Sequence, residues 1–551
     1  MQMLDERSLA LCRITLGLLI LYDTIFCRLP EIPAFFVRSG INFSPEKLPF
    51  RATMLPEFLQ FHRKFNYSTM AVNFVFFFQA LAAMSFTVGF FARTSAFVSM
   101  VMLHSMEGQL LAFPAGGHLF PTISTVLLCW LCLLPCGACF SLDSLMSKHR
   151  IPVGYNFAAI GFRIQLTVVY ASTVYLKIFG TGTSALNSWW IKGYSVPWAF
   201  MECELSTHTG RFLFEHLLGG RLESPMGYFV SSAALLCELV VAIALFVPVL
   251  KICSDALYWG KTNTKDDPKR FVASSYIASF GILLTHGFIF FTINLPMLQL
   301  GMCSAGLALL PSTAWKNTQE AKENVKETQK SISFFVRNKV AMFMCLYMLL
   351  ANFGSTAKRD TDALIPKFLQ ATVGVVFPSL RQYWGMYVRP PKPLHMCGVE
   401  WHVIGRLSGE ANAGSIDLLQ WLQLGKVSRP SNATAGSTCS SMYSSKMWRM
   451  FFHKAVKRRL RHALEHYAIH SNKNNVAKAN HCDTINAGEE CVLLTAFLEY
   501  ICKYWNTIYA HTRLEAIDIF GNIIMTRMNV TQLTDAILLP VIQDYKCKTI
   551  D

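Results

Sequence analysis

Charge is what this sequence has least of. Of its 551 residues only 15% are Asp, Glu, Lys or Arg, where soluble domains carry about 25%. A chain so poor in charge and 52% hydrophobic excludes a disordered polymer, a coiled coil and a small disulfide scaffold. It also lacks a Gly-rich phosphate loop, an HExxH pair and a GxSxG elbow. Nucleotide-dependent, zincin and serine-hydrolase chemistries therefore have no motif to stand on. No internal repeat is present, which sets solenoids aside. Residues Met1 to Arg7 are polar and partly acidic, and no small-residue cleavage site follows the first apolar run. That run reads as a retained anchor rather than a signal peptide.

What the sequence has in quantity is apolar runs near membrane-spanning length, each needing about 20 residues to cross. They lie at Leu9–Phe26, Met70–Phe91, Ala96–Phe113, Phe120–Phe140, Phe157–Phe179, Tyr228–Leu250, Val272–Leu295, Leu298–Leu310 and Val340–Phe353. The Leu298–Leu310 run is too short to cross alone and reads as tilted or re-entrant. The fold expected is an all-α polytopic membrane bundle of about nine spans over residues 1–382, followed by a small α+β soluble domain over 383–551. The Lys/Arg bias of the short loops puts the amino terminus in the cytoplasm, with Arg28–Lys64 as the exception. An odd span count then puts the tail in the lumen of the endoplasmic reticulum or another endomembrane compartment.

Three glycosylation sequons, at Asn66, Asn432 and Asn529, share that lumenal side. So do Cys397, Cys439, Cys482, Cys491, Cys502 and Cys547, which can form disulfides there in a pairing that sequence leaves open. Within the tail, Glu400–Leu419 alternates like a hairpin and Cys491–Tyr509 reads as a helix packed on it. Lys446–His470 reads as a basic amphipathic helix, either on a membrane surface or with a solvated basic face. The net charge of +16 comes with no nucleic-acid-binding motif, so membrane lipid is the expected partner and nucleic acid is not.

Ionisable residues inside spans are costly and mark candidate sites. Arg163, Tyr170 and Lys177 are spaced by seven, so all three share one helical face. Two readings of this stripe stand side by side. In one, Lys177, His104, His118 and His286 converge on the lumenal half, where a partly desolvated lysine acts as a base. In the other, Arg163 pairs with a carboxylate such as Asp23 or Glu238, and Lys177 snorkels to the interface. Cys129, Cys132, Cys136 and Cys139 form a CxxC-x3-CxxC run. Placed along one stripe of a span without second-shell donors, they read as helix-packing residues, and no metal is expected.

Several segments resemble a known family. Ser8-Leu-Ala-Leu-Cys-Arg13 with Gly17, Asp23 and Arg28 resembles the opening span of the vitamin K-dependent gamma-carboxylases and their horizontally transferred transmembrane (HTTM) relatives. Arg163-Ile-Gln-Leu-Thr-Val-Val-Tyr170, Lys177-Ile178 and Trp190-Ile-Lys-Gly193-Tyr-Ser195 resemble that family's most distinctive stretch. Gly117-His118, Phe140-Ser-Leu-Asp143, His286 with Leu310-Pro311, and Trp384 through Gly398-Val-Glu-Trp401 extend the likeness over roughly residues 8–420. Val174-Tyr175-Leu176 before the lysine, and Thr181–Ser188 before the tryptophan, depart from the carboxylase pattern.

The resemblance implies a reaction. Oxygenation of reduced vitamin K, or another quinone, generates a base that removes a glutamate γ-proton, and carbon dioxide adds to the carbanion. It implies Lys177 as the catalytic base and His118 as its active-site partner, with Arg163, Tyr170, His104 and His286 around the quinone. Arg13, Asp23, Trp190 and Gly193 are then motif residues of the scaffold. A glutamate-containing protein would be the substrate, and no metal is needed. Because a scaffold can persist without its chemistry, a non-enzymatic HTTM transporter or scaffold is the alternative expectation.

Overall fold

The computed structural model describes residues 4–37, 40–41, 68–107, 119–146, 157–179, 188–201, 206–221, 223–257, 268–315, 338–346, 349, 395–408, 415–424, 489–509, 513–526 and 534–547. Asp5 starts the first helix by accepting the Arg7 amide at 2.9 Å, which satisfies one of the free N–H groups of a helix start. Helix α1 is Glu6–Tyr22; it runs through a wider turn at Asp23–Arg28 into α2, Ile32–Phe35. Next come α3 (Thr69–Val88), α4 (Ala92–Glu107), α5 (Leu119–Leu133) and the short α6 (Leu142–Met146). After them lie α7 (Phe157–Phe179), α8 (Ser195–Met201), α9 (His208–Phe212), α10 (Pro225–Leu257), α11 (Pro268–Thr292) and α12 (Pro296–Ala308).

The long helices close a ring. α1 packs on α3 and α12, α3 on α4, α4 on α5, α7 on α10, α10 on α11, and α11 on α12, while α5 touches both α7 and α12. The interior is filled by Leu16, Phe86, Trp130, Phe162, Leu245 and Ile282, among others. The outside is apolar too: Phe74, Phe77, Phe229, Leu236, Ile243, Phe280 and Phe291 are all exposed. Helices that are hydrophobic all round need a hydrocarbon solvent on the outer face.

Among the described residues, five helices are long and apolar enough to cross a membrane: Glu6–Phe35, Thr69–Val88, Phe157–Phe179, Pro225–Lys251 and Phe271–Thr292. Shorter apolar helices cover Ala92–Leu103 and Phe120–Leu133. The expected span at Leu298–Leu310 becomes α12, which has 13 residues and so reaches about 20 Å, short of the roughly 30 Å hydrocarbon layer. It is an interior helix, with Met297, Leu298, Gln299, Gly301, Met302, Ser304, Ala305 and Gly306 all buried.

The cysteine run does not follow one stripe as expected. Helix α5 ends at Leu133, so Cys136 and Cys139 lie in the turn beyond it. There Cys136 donates to the Leu131 carbonyl and Cys139 approaches Glu6 at 3.7 Å. The break is Pro135, whose ring cannot continue the helical hydrogen bonding.

The tail carries a four-stranded antiparallel sheet in the order β2-β1-β3-β4, formed by β1 (His395–Leu407), β2 (Ser415–Asp417), β3 (Leu514–Thr526) and β4 (Thr534–Lys546). The expected hairpin is present as β1 and β2, with Gly405 opposite Ile416. The expected helix is α14, Glu489–Ile508, with the short α13, Leu418–Leu424, before it. A disulfide joins Cys502 on α14 to Cys547 at the end of β4. The basic segment Lys446–His470 and the three sequons at Asn66, Asn432 and Asn529 lie outside the described residues.

The tail is seated on one end of the bundle. Trp421, Leu494, Phe497, Leu498 and Trp505 form one buried cluster with Phe35, Phe36, Val72, Phe76 and Met106. Burial, then Tyr504 and the Glu31 carboxylate, raise the Tyr500 phenol above its ordinary range. At the other end of α1, Ser8 donates to the Leu310 carbonyl at 2.7 Å and accepts the Trp315 indole N–H at 3.0 Å. The tail therefore lies at the end of α1 opposite Glu6.

Candidate functional site

Helix α7 spans Phe157–Phe179, the same bounds the apolar run predicts. Three of its polar residues make contacts to two neighbouring helices, α10 and α11. Lys177 reaches α10, where its Nζ donates to both carboxylate oxygens of Glu238, at 2.6 and 2.7 Å. The lysine is 6% exposed and Glu238 8%, so the pair is held inside the protein. The amine thus turns inward to a carboxylate on the neighbouring helix, in place of the outward reach that the snorkelling reading expects.

The same amine lies 3.9 Å from the Trp190 ring centroid, over its face, where the π quadrupole attracts a cation. Trp190 sits in a tight turn just after α7. Ser188 donates to the Lys177 carbonyl, and the Gly193 and Tyr194 amides return to the Trp190 and Trp189 carbonyls at 3.2 and 3.0 Å. Gly193 has φ +78, a left-handed conformation that glycine adopts without steric cost. A Cβ there would also meet the Tyr228 backbone. The glycine thus lets the turn lie against the start of α10 and keeps the indole beneath the lysine.

Two turns back along α7, the Tyr170 hydroxyl and His286 Nε2 are 2.8 Å apart. His286 Nδ1 is 2.5 Å from Gln299 Oε1 on α12. With the amide oxygen facing it, Nδ1 carries the proton and donates, so Nε2 accepts from the Tyr170 hydroxyl. The chain Tyr170–His286–Gln299 crosses three helices. Lys177 and Glu238 are close enough to act electrostatically on His286 and Tyr170, respectively. Two more turns back, Arg163 donates to the Ser275 hydroxyl of α11 at 2.6 Å. The alternative carboxylate partners are engaged elsewhere, Glu238 by Lys177 and Asp23 by Arg28 at 2.6 Å.

The site lies in the tail-side half of the bundle. Ala308 ends α12 near Ser8, so Pro296 starts it at the tail end, and α11 arrives there at Thr292. The Thr207 amide caps the Thr292 carbonyl at 3.1 Å, and Ser206 bridges Ile293. His286 is six residues before Thr292, about 9 Å into the bundle.

Arg13 serves a different purpose. Its guanidinium donates to the carbonyls of Phe86, at 3.3 Å, and Phe140. Gly89, with φ +73, caps α3 beside it, and a Cβ there would strike the guanidinium. Asp143 accepts the Phe91 and Ala92 amides at 2.7 and 2.8 Å and so caps α4. These residues lock two turns together. His104 lies on α4 with its side chain outside the described residues, and His118 lies outside them entirely.

Reasoning on sequence missed Glu238 as a site residue, naming it only as a potential partner of Arg163. Its signal is that it is the single charged residue between Tyr228 and Leu250. Gln299 and Ser275 carry no comparable signal. Among the described residues no three His, Cys, Asp or Glu side chains form a metal-sized cluster. Comparison with protein-family models, curated proteins and solved structures gives no match for the chain.

Proposed function

We propose that this protein is an integral membrane enzyme of about nine spans that takes a proton from a lipid-soluble substrate at the Lys177–Glu238 pair. The reading is carried by that pair: an amine and a carboxylate buried between two membrane helices, since intramembrane ionisable groups are costly and functional by default. As a base, Lys177 accepts the substrate proton in its neutral form, and Glu238 holds the compensating proton beside it. Trp190 orients the amine, and Tyr170–His286–Gln299 offers a second hydrogen-bonded path next to the pair.

The resemblance of the α7 stretch to the vitamin K-dependent gamma-carboxylases suggests the substrate class, a reduced quinone. A glutamate-bearing protein would then be carboxylated, with His118 as active-site partner. An apolar surround with few polar groups suits a neutral ring that enters from the bilayer. When bound, the reduced quinone supplies the electrons for oxygen activation. The Cys502–Cys547 disulfide favours an oxidising compartment for the tail, in keeping with a lumenal tail in the endoplasmic reticulum or another endomembrane, with Asn66, Asn432 and Asn529 as glycosylation candidates on the same side.

The test is epoxidation of reduced vitamin K by detergent-purified protein, wild type beside Lys177→Ala, with folding verified for both. Turnover in the wild type and its loss in the variant are expected. No turnover in well-folded wild type overturns the proposal. A second reading, a non-enzymatic transporter or scaffold, is favoured by one observation: both Glu238 oxygens are already occupied by Lys177, as in a purely structural pair. Solute flux without quinone turnover supports that reading instead.

A further inference from the structure

Trp190 presents a feature the proton-handling reading does not use. Its indole N–H is buried and has no hydrogen-bond partner among the described residues, although the residue is only 6% exposed. A buried tryptophan usually finds a partner for this donor, because leaving one unmade costs its full desolvation. The ring is otherwise well placed: its face holds the Lys177 amine at 3.9 Å, and Val196, Phe200 and Leu218 pack around it. One residue past the same turn, the Ser195 hydroxyl is likewise fully buried and without a partner among the described residues. An unsatisfied indole donor beside an ion pair and among apolar side chains, with a second unsatisfied group five residues on, describes a site built for something else to bind.

The geometry points to Trp190 Nε1–H as a ligand-binding donor that holds an oxygen of a neutral, apolar molecule beside the Lys177–Glu238 pair. The indole is donor only, so the ligand atom must be an acceptor. The surround is apolar and the pair already balances its own charge, so the ligand is neutral: a carbonyl or phenolic oxygen on a hydrophobic ring. The N–H lies in the ring plane and the amine lies over the ring face. An oxygen about 2.9 Å from Nε1 therefore lies in the ring plane, clear of the amine above the face, and a ligand with a second oxygen can reach both groups. The assignment rests on the reading above for the class of ligand, but not on turnover.

The experiment is equilibrium dialysis of 2-methyl-1,4-naphthoquinone and of 2-methylnaphthalene, the same ring without oxygens, against full-length protein in lipid nanodiscs. Empty nanodiscs correct for partitioning, and the proteins compared are wild type and Trp190→Phe. Phe keeps an aromatic face for the lysine and removes the donor together with part of the ring, and the hydrocarbon ligand separates the two losses. Expected are a roughly 10-fold weaker naphthoquinone affinity in the variant, the scale of one lost hydrogen bond, and an unchanged affinity for the hydrocarbon. Equal naphthoquinone affinity in both proteins overturns the assignment and leaves the turnover proposal standing. Absence of naphthoquinone binding to wild type also overturns the assignment, and epoxidation of reduced vitamin K by wild type decides the turnover proposal separately. If Trp190→Phe does not fold, the wild-type comparison decides: a clear preference for the oxygenated ring supports the donor, and equal affinity for the two ligands overturns it.

Discussion

Two groups of buried polar residues sit at different places in this bundle and bond in different ways. Around Arg13 the hydrogen-bond partners among the described residues belong to the backbone: the guanidinium donates to the Phe86 and Phe140 carbonyls, and Asp143 accepts the Phe91 and Ala92 amides. Around Lys177 the partners are side chains from other helices: Glu238, Trp190, and the nearby Tyr170–His286–Gln299 chain. Backbone groups at a helix end must be satisfied whatever the protein does, so the first arrangement is explained by folding alone. The second arrangement bonds side chain to side chain between helices over two turns of α7, and it closes no helix end. Here the charge that bonds to the backbone closes turns, whereas the charge that bonds to charge joins two helices, and it is there that we propose the chemistry.

The sharpest way to break this comparison is to remove one member of the ion pair. Lys177→Ala should abolish turnover and lower stability by about 3–5 kcal/mol, because a lone buried charge remains. Thermal unfolding in detergent measures the second effect. Replacing both, as Lys177→Met with Glu238→Leu, should restore most of the stability and none of the turnover. Arg13→Ala comes next: losing charge-assisted bonds to two carbonyls should cost about 3 kcal/mol while naphthoquinone affinity in the folded fraction stays within two-fold, roughly the error of such a comparison. Reducing Cys502–Cys547 should cost about 2 kcal/mol, seen as faster proteolysis of the tail with the bundle intact. The smallest effect is expected for Tyr170→Phe, about 1 kcal/mol, together with an altered pH profile of turnover as His286 loses the donor to Nε2.

How much of this was legible in the sequence depends on the range of the interaction. The α7 stripe was legible because Arg163, Tyr170 and Lys177 repeat every seven residues, and periodicity is local. That Lys177 would meet Glu238 was not, since the two are 61 residues apart and their meeting depends on α10 being the neighbour of α7. The turn at Trp190 was visible as a motif, but its indole N–H becomes notable only once the packing leaves it without an acceptor.

In the tail, α14 was read closely from its apolar spacing. Strands β3 and β4 were not read at all, and the physical reason is visible in the sheet. Opposite β3, strand β4 takes an extra residue between Ile517 and Ile519 and again between Ile523 and Met525, which breaks its own two-residue alternation. In β3 the neighbours Ala516 and Ile517 are both buried, so neither strand carries the pattern on which strand reading relies. The nine-span expectation met a similar difficulty at α12, where apolar composition marks an interior helix as readily as a crossing one.

The central claim is that the Lys177–Glu238 pair performs chemistry and the Arg13 cluster does not. It is tested most directly by measuring reduced-vitamin K epoxidation in one preparation series: wild type, the Lys177→Met/Glu238→Leu double variant, and Arg13→Ala, each scaled to its folded fraction. The account predicts turnover in the wild type, none in the double variant although it is stably folded, and near wild-type turnover per folded molecule in Arg13→Ala. Turnover that survives in the double variant, or its absence from well-folded wild type, would contradict the claim.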